Sequence, residues 1–127
     1  MMNSTNFRIC FVVLSLAAVG ISGCASTTSN FVPIGGETFA AKSADYPIDV
    51  FQNTATPDRA YTEIAEVFTS MEATHLIKRS MQEGLETLKV LTREAGGDGI
   101  INITEKGARH LETQQVIISG TAIRYNE

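Results

Sequence analysis

The chain has 127 residues, 43% of them hydrophobic and 19% charged, with a formal net charge of −4 and no tryptophan. That length allows one domain, and all 14 acidic residues but only nine of the ten basic ones follow Cys24, a balance that argues against binding nucleic acid or an acidic surface. Both cysteines, Cys10 and Cys24, lie in the first 24 residues, so the remainder can form neither an internal disulfide nor a thiolate metal site.

The first seven residues carry no charged side chain and are polar over Asn3–Asn6, Arg8 adds one positive charge, and Ile9 to Ile21 is an uncharged, largely apolar run. Its length suits the apolar region of an export signal, about 7–15 residues, and is short of the roughly 20 that a membrane-spanning helix requires. Gly20, Ser22 and Gly23 interrupt helix formation where a span would have to continue. The run ends in Ile21-Ser22-Gly23-Cys24. This resembles the bacterial lipobox, an aliphatic residue and two small residues before a cysteine. Small side chains let an extended backbone enter a peptidase cleft, and the thiol can accept a diacylglyceryl group. The resemblance implies cleavage between Gly23 and Cys24, a thioether lipid on the Cys24 sulfur and an acyl chain on the new amino terminus, with no cofactor besides this lipid. Two or three acyl chains make a durable anchor where one does not. In Gram-negative lipoproteins an Asp after the cysteine commonly retains the protein in the inner membrane. Ala25 there implies the periplasmic face of the outer membrane, or the inner or plasma membrane in a host of another kind, with the membrane itself as the first partner.

Ala25-Ser26-Thr27-Thr28-Ser29-Asn30 is small, polar and without apolar period, and reads as flexible. Residues 24–46 form the expected tether, with Pro33 and Gly35-Gly36 along it. About 22 flexible residues would span roughly 25 Å. Phe31, Val32, Ile34 and Phe39 are too apolar for a pure spacer. Either they pack on the domain as an edge strand or they serve a partner, and packing is the simpler reading.

The domain is expected over residues 47–127. Ile48 to Gln52 alternates after Pro47 and predicts a first strand. Pro57-Asp58 marks a turn. Tyr61 to Thr69 is rich in aromatic and β-branched residues and predicts a second strand, although Ile64 and Val67 stand three apart, which calls for a bulge or a helical turn. Ile77, Met81, Leu85, Leu88 and Ala95 recur at helical spacing, joined by Gly84 and Leu91, with charged residues mostly on the other side. The helix starts either near Thr74 or at Ser80, where Ser80-Met81-Gln82-Glu83 matches a capping box. Gly96-Gly97 closes it. Ile100 to Thr104 and Gln114 to Tyr125 predict two further strands in an antiparallel hairpin, with Gly120 as a bulge or a point of close approach. The expected architecture is α+β: a small, mostly antiparallel sheet with one amphipathic helix on one face, in the order β-β-α-β-β.

Tyr61-Thr62-Glu63-Ile64-Ala65-Glu66-Val67, the helix end at Leu88–Ala95, Gly97-Asp98-Gly99-Ile100-Ile101-Asn102-Ile103 and Gly120-Thr121-Ala122-Ile123-Arg124-Tyr125 form a recurring outline. It is similar to small bacterial envelope domains related to the Rcs stress-sensor lipoprotein and to the YbjQ-like family, whose label is heavy-metal binding. Ala65 stands where that outline has Gly, and the paired cysteines of the stress sensor are missing. Such motifs specify fold better than function.

His75 and His110 are the only histidines, and a metal site would need them close together and beside an acid such as Glu72 or Glu112. Ser80 and Ser119 have no histidine at motif spacing. Gly96-Gly97-Asp98-Gly99 follows a helix, whereas phosphate loops precede one, so Asp98 reads as a turn residue. Glu63 and Glu66 do not assemble an acid–base pair. The sequence therefore points to a non-enzymatic, lipid-anchored envelope protein that binds a protein partner or senses envelope state. The alternative is a metal- or small-ligand-binding module using His75, His110 and nearby acids.

Overall fold

The computed structural model describes residues 26–74, 77–110 and 113–127, the side chain of His110 excepted. The export signal expected over residues 1–23, with Gly23 and Cys24, lies outside the described residues. Among the described residues are five strands and one helix: β1 Thr27–Pro33, β2 Asp49–Val50, β3 Tyr61–Ala73, α1 Met81–Glu94, β4 Gly99–His110 and β5 Thr113–Tyr125. They form one sheet in the order β1-β3-β5-β4-β2, antiparallel throughout except for the short β2–β4 pair. Over the described residues the class is α+β with one helix, as the periodicities imply.

The strand count and order differ from β-β-α-β-β, and the difference begins at the expected tether. Thr27–Asn30 is not a loose spacer but the first half of β1, paired from Thr27↔Met71 to Pro33↔Ala65 along the edge of β3. Its polar composition hides it, because an edge strand exposed on both faces needs no apolar alternation. Within β1 only Phe31 is half-buried. Phe31 and Phe39 pack against the core, as edge-strand packing requires, whereas Val32 and Ile34 stay exposed.

The expected strand over Ile48–Gln52 shrinks to Asp49–Val50, running parallel to Gly99-Ile100. Asp49 N–H donates to the Asp98 carbonyl and Phe51 N–H to the Ile100 carbonyl, both at 3.0 Å. Beyond them Gln52 enters a turn, closed by Ala55 N–H, in which Asn53 takes a φ of 58°. Pro47 can donate no ladder bond.

Bulges settle the irregular spacings. The β3–β5 register slips between Glu63 and Ala65, so Ile64 turns inward and Ala65, Val67, Thr69 and Met71 then alternate into the core. A second slip in β4 lies between Ile101 and Thr104, where Asn102 has φ 55°. Gly120 is the point of close approach: a Cβ there would sit 2.7 Å from Ile100 Cγ2 and 3.2 Å from the Ile101 carbonyl oxygen.

The helix begins at the capping box. Ser80 is extended and its side chain accepts from Glu83 N–H, but Glu83 directs its carboxylate to Arg79 instead of completing the box. Ile77 therefore lies outside the helix. Gly84, Leu85, Leu88, Leu91 and Thr92 are buried against the sheet. At Gly84 the helix rides directly on β5, since a Cβ would land 2.1 Å from Ile118 Cδ1.

One polar atom in this core is left over. The Thr69 hydroxyl is fully buried on the helix side with no partner among the described residues. Such an orphan costs about 1–3 kcal/mol. Thr69→Val, which keeps the shape and removes the hydroxyl, should raise the thermal midpoint by several degrees in a melt followed by circular dichroism.

Candidate functional site

The polar organisation of the domain converges at the end of the sheet opposite Thr27. After Ala95 the chain closes α1 with Gly96 at φ +83°, Gly96 N–H donating to Arg93 and Gly97 N–H to Thr92. This paired pattern is the glycine-capped helix end. Gly96 cannot carry a side chain there, because a Cβ would fall 2.7 Å from the Ala40 carbonyl oxygen. The next residue, Asp98, is delivered into the fold with its N–H on the Ile123 carbonyl at 2.7 Å.

The Asp98 carboxylate is buried and joins three separate segments. Oδ1 accepts from the Tyr46 hydroxyl at 2.7 Å and meets Lys42 Nζ at 3.1 Å, while Oδ2 accepts from Tyr125 N–H at 2.9 Å. Residues 34–47 are thereby strapped across the helix end. Lys42 N–H donates to the Arg93 carbonyl at 2.8 Å, and Arg93 Nε donates to the Tyr46 carbonyl at 2.7 Å. Gly35 and Gly36, at φ 73° and 75°, turn the chain from β1 into this strap. Next to Asp98, the Tyr125 hydroxyl donates to Asp49 Oδ2 at 2.5 Å.

Burial is the largest single influence on Asp98 and pushes its pKa up. The hydrogen bonds from Tyr46, the Tyr125 amide and Lys42 together outweigh it and leave the carboxyl below its ordinary value. Tyr46 is raised, first by its bond to Asp98 and then by burial. Tyr125 is pushed up to about 12 by burial and by Asp49. Both tyrosines thus stay protonated near neutrality and act as donors, not bases. Because the folded pKa of Asp98 is lowered, its stabilisation is present above the unfolded value of about 3.9 and is lost as pH falls through the folded one. The stability gap between the native chain and Asp98→Asn should therefore close on acidification below about pH 4. Urea melts of the two proteins at neutral and acid pH check this.

A basin of about 330 Å³ opens over this cluster, with Lys42, Tyr46, Asp49, Arg59, Arg124 and Tyr125 among its walls. A second, of about 380 Å³, adjoins it and shares Arg124 and Tyr125. The Arg59 guanidinium lies over the Tyr125 ring at 4.0 Å and that of Arg124 over Phe39 at 4.9 Å.

The residues singled out in the sequence fare unevenly. Asp98 is a turn residue as read, but also the buried hub. Its partners Lys42 and Tyr46 belong to no motif, Tyr125 only closes the Gly120–Tyr125 outline, and the local signal is an acid flanked by glycines. Ser80 is a helix cap, and Ser119 shares a hydrogen bond with Thr104. Glu63 and Glu66 are exposed, and the Thr121 hydroxyl donates to Glu66 at 3.3 Å. His75 and Glu112 lie outside the described residues, and the His110 backbone ends β4 opposite Thr113. Glu72 lies opposite Gln115 and accepts from Ser26 N–H at 3.3 Å. Among the described residues no cluster of three or more His, Cys, Asp or Glu is placed to hold a metal ion.

No protein-family model and no curated protein matches this chain. Among solved structures, the crystal structure of the Francisella virulence factor FvfA, in its orthorhombic form, is similar over 76% of this chain and 98% of its own, with a TM-score of 0.52 and 14% sequence identity. At that identity the likeness concerns the fold alone.

Proposed function

We propose that this chain is a lipid-anchored protein of the bacterial envelope, without catalysis of its own, whose domain binds a protein partner. The observation that carries the reading is Ile21-Ser22-Gly23-Cys24, three residues before the first strand. Three peptide steps reach at most about 11 Å. A lipid on Cys24 would therefore hold the Thr27 edge of the sheet against the bilayer, instead of letting the domain roam on a 25 Å tether. Along β3 the residues paired with Thr27 and with Tyr125 are Met71 and Tyr61. Ten residues of strand, about 33 Å, separate them. With β3 standing away from the bilayer, the anchor would sit at one end and the Asp98 end would be turned towards the periplasm.

The non-catalytic half of the reading rests on the occupied state of the polar cluster. Asp98 uses both oxygens on structural donors, and neither tyrosine beside it can serve as a base near neutral pH. A photo-crosslinking residue placed in living cells at Glu37, exposed near the Asp98 end, tests the partner. A discrete adduct with one envelope protein, lost in Cys24→Ala, is expected. Adducts that are absent, or unchanged when Cys24 is replaced, would contradict the reading.

A further inference from the structure

The basin at the Asp98 end has a one-sided imbalance in its hydrogen bonding. Two of its three acids are engaged, while Glu127 is exposed: Asp98 holds Tyr46, Lys42 and the Tyr125 amide, and Asp49 holds the Tyr125 hydroxyl. Its two guanidiniums are not. Arg59 and Arg124 each lie over an aromatic ring, and among the described residues neither has a hydrogen-bond acceptor or a carboxylate within ion-pair distance.

A guanidinium carries five N–H donors in a planar fork. Stacking on a ring restrains that fork without using its donors. β5 carries Arg124, over Phe39 of the strap, and Tyr125, the next residue, lies beneath Arg59 from the loop before β3, so that both guanidiniums line one opening. The volume of about 330 Å³ lies at the lower end of small-molecule sites. Unused donors in a preformed concavity call for an anion with two coplanar oxygens.

The rest of the lining narrows the choice. Asp49 and Glu127 also face the basin and leave it close to neutral, which disfavours a doubly charged phosphate relative to a single carboxylate. We propose that Arg59 and Arg124 form a binding site for a carboxylate, borne by a peptide terminus or by a small organic acid. The site rests on the domain alone and would stand with or without the lipid on Cys24.

Side-chain and backbone amide NMR of the full chain in detergent micelles tests it, with N-acetylglycine and acetate as probes and sodium chloride at matched ionic strength as control. Both probes should produce saturable shifts of the Arg59 and Arg124 Nε–H and Tyr125 N–H signals, with the tighter of the two naming the source of the carboxylate. Arg59→Gln and Arg124→Gln should each weaken binding about tenfold, and the double variant, with an unchanged fold by circular dichroism, should abolish it. Glu127→Gln, which removes a competing negative charge, should strengthen it. Shifts no larger than those with chloride, an equal response from the double variant, or tighter binding of inorganic phosphate than of N-acetylglycine would overturn the proposal.

Discussion

Leu88→Asp should abolish folding. Leu88 is fully buried at the middle of the helix face, within the cluster that includes Ile64, Val67, Met71, Ile118 and Ala122. Losing its apolar side chain alone costs about 2–5 kcal/mol. The introduced carboxylate would also be held away from water with no cationic partner in that cluster, adding several kcal/mol more. The total, on the order of 5–10 kcal/mol, is comparable to the lower part of the 5–15 kcal/mol by which a domain is stable. The expected result is loss of the cooperative thermal transition and of the near-ultraviolet signal. Val90, two residues along and on the outer side, is 49% exposed. Val90→Asp should shift stability by no more than about 0.5 kcal/mol, which separates a packing effect from a general intolerance of charge in the helix. Equal stability of Leu88→Asp and the native chain would contradict the helix-on-sheet core.

Asp98→Ala should be the most damaging substitution among the polar residues. It removes at once the acceptors for Tyr46, Lys42 and the Tyr125 amide, which tie the strap and the last residues of β5 to the helix end. Hydrogen bonds to a charged group contribute about 1.5–3 kcal/mol each where they are buried. The Lys42 side chain is 23% exposed and can turn to water, so its share is small. A net loss of about 2–3 kcal/mol is expected, or some 10–20 °C in the midpoint of a domain this size. The damage should also be local. The Lys42 amide, bonded to the Arg93 carbonyl, should lose its protection from hydrogen exchange before the amides of β3 and β5 do. Uniform loss of protection across the sheet would mean that the strap is not a separate unit held by Asp98.

How far the sequence foretells this structure depends on whether an element buries a face. The helix stripe and its glycine-capped end are legible because Leu85, Leu88 and Leu91 must recur at helical spacing to cover a sheet. The spacing of Ile64 and Val67 announces the bulge in β3. β1 is illegible for the opposite reason: Thr27–Asn30 exposes both faces, and its pairing rests on backbone bonds that leave no pattern in the side chains. β2 is cut short by its neighbours, Pro47 before it and the Gln52 turn after it, which alternation alone does not reveal. The hub at Asp98 is half legible. Its glycines mark an unusual turn, but Tyr46 and Tyr125 reach it across 52 and 27 residues, and no local pattern encodes so distant a meeting.

In the proposed arrangement Cys24 begins the mature chain and carries the lipid that sets this sheet at a membrane. Intact-mass spectrometry of the protein extracted from the envelope of its own cells tests it most directly. The expected product is a chain starting at Cys24, heavier than its residues by a diacylglyceryl group and an amino-terminal acyl chain. A chain that retains residues 1–23, or one that starts elsewhere with an unmodified cysteine, would contradict it.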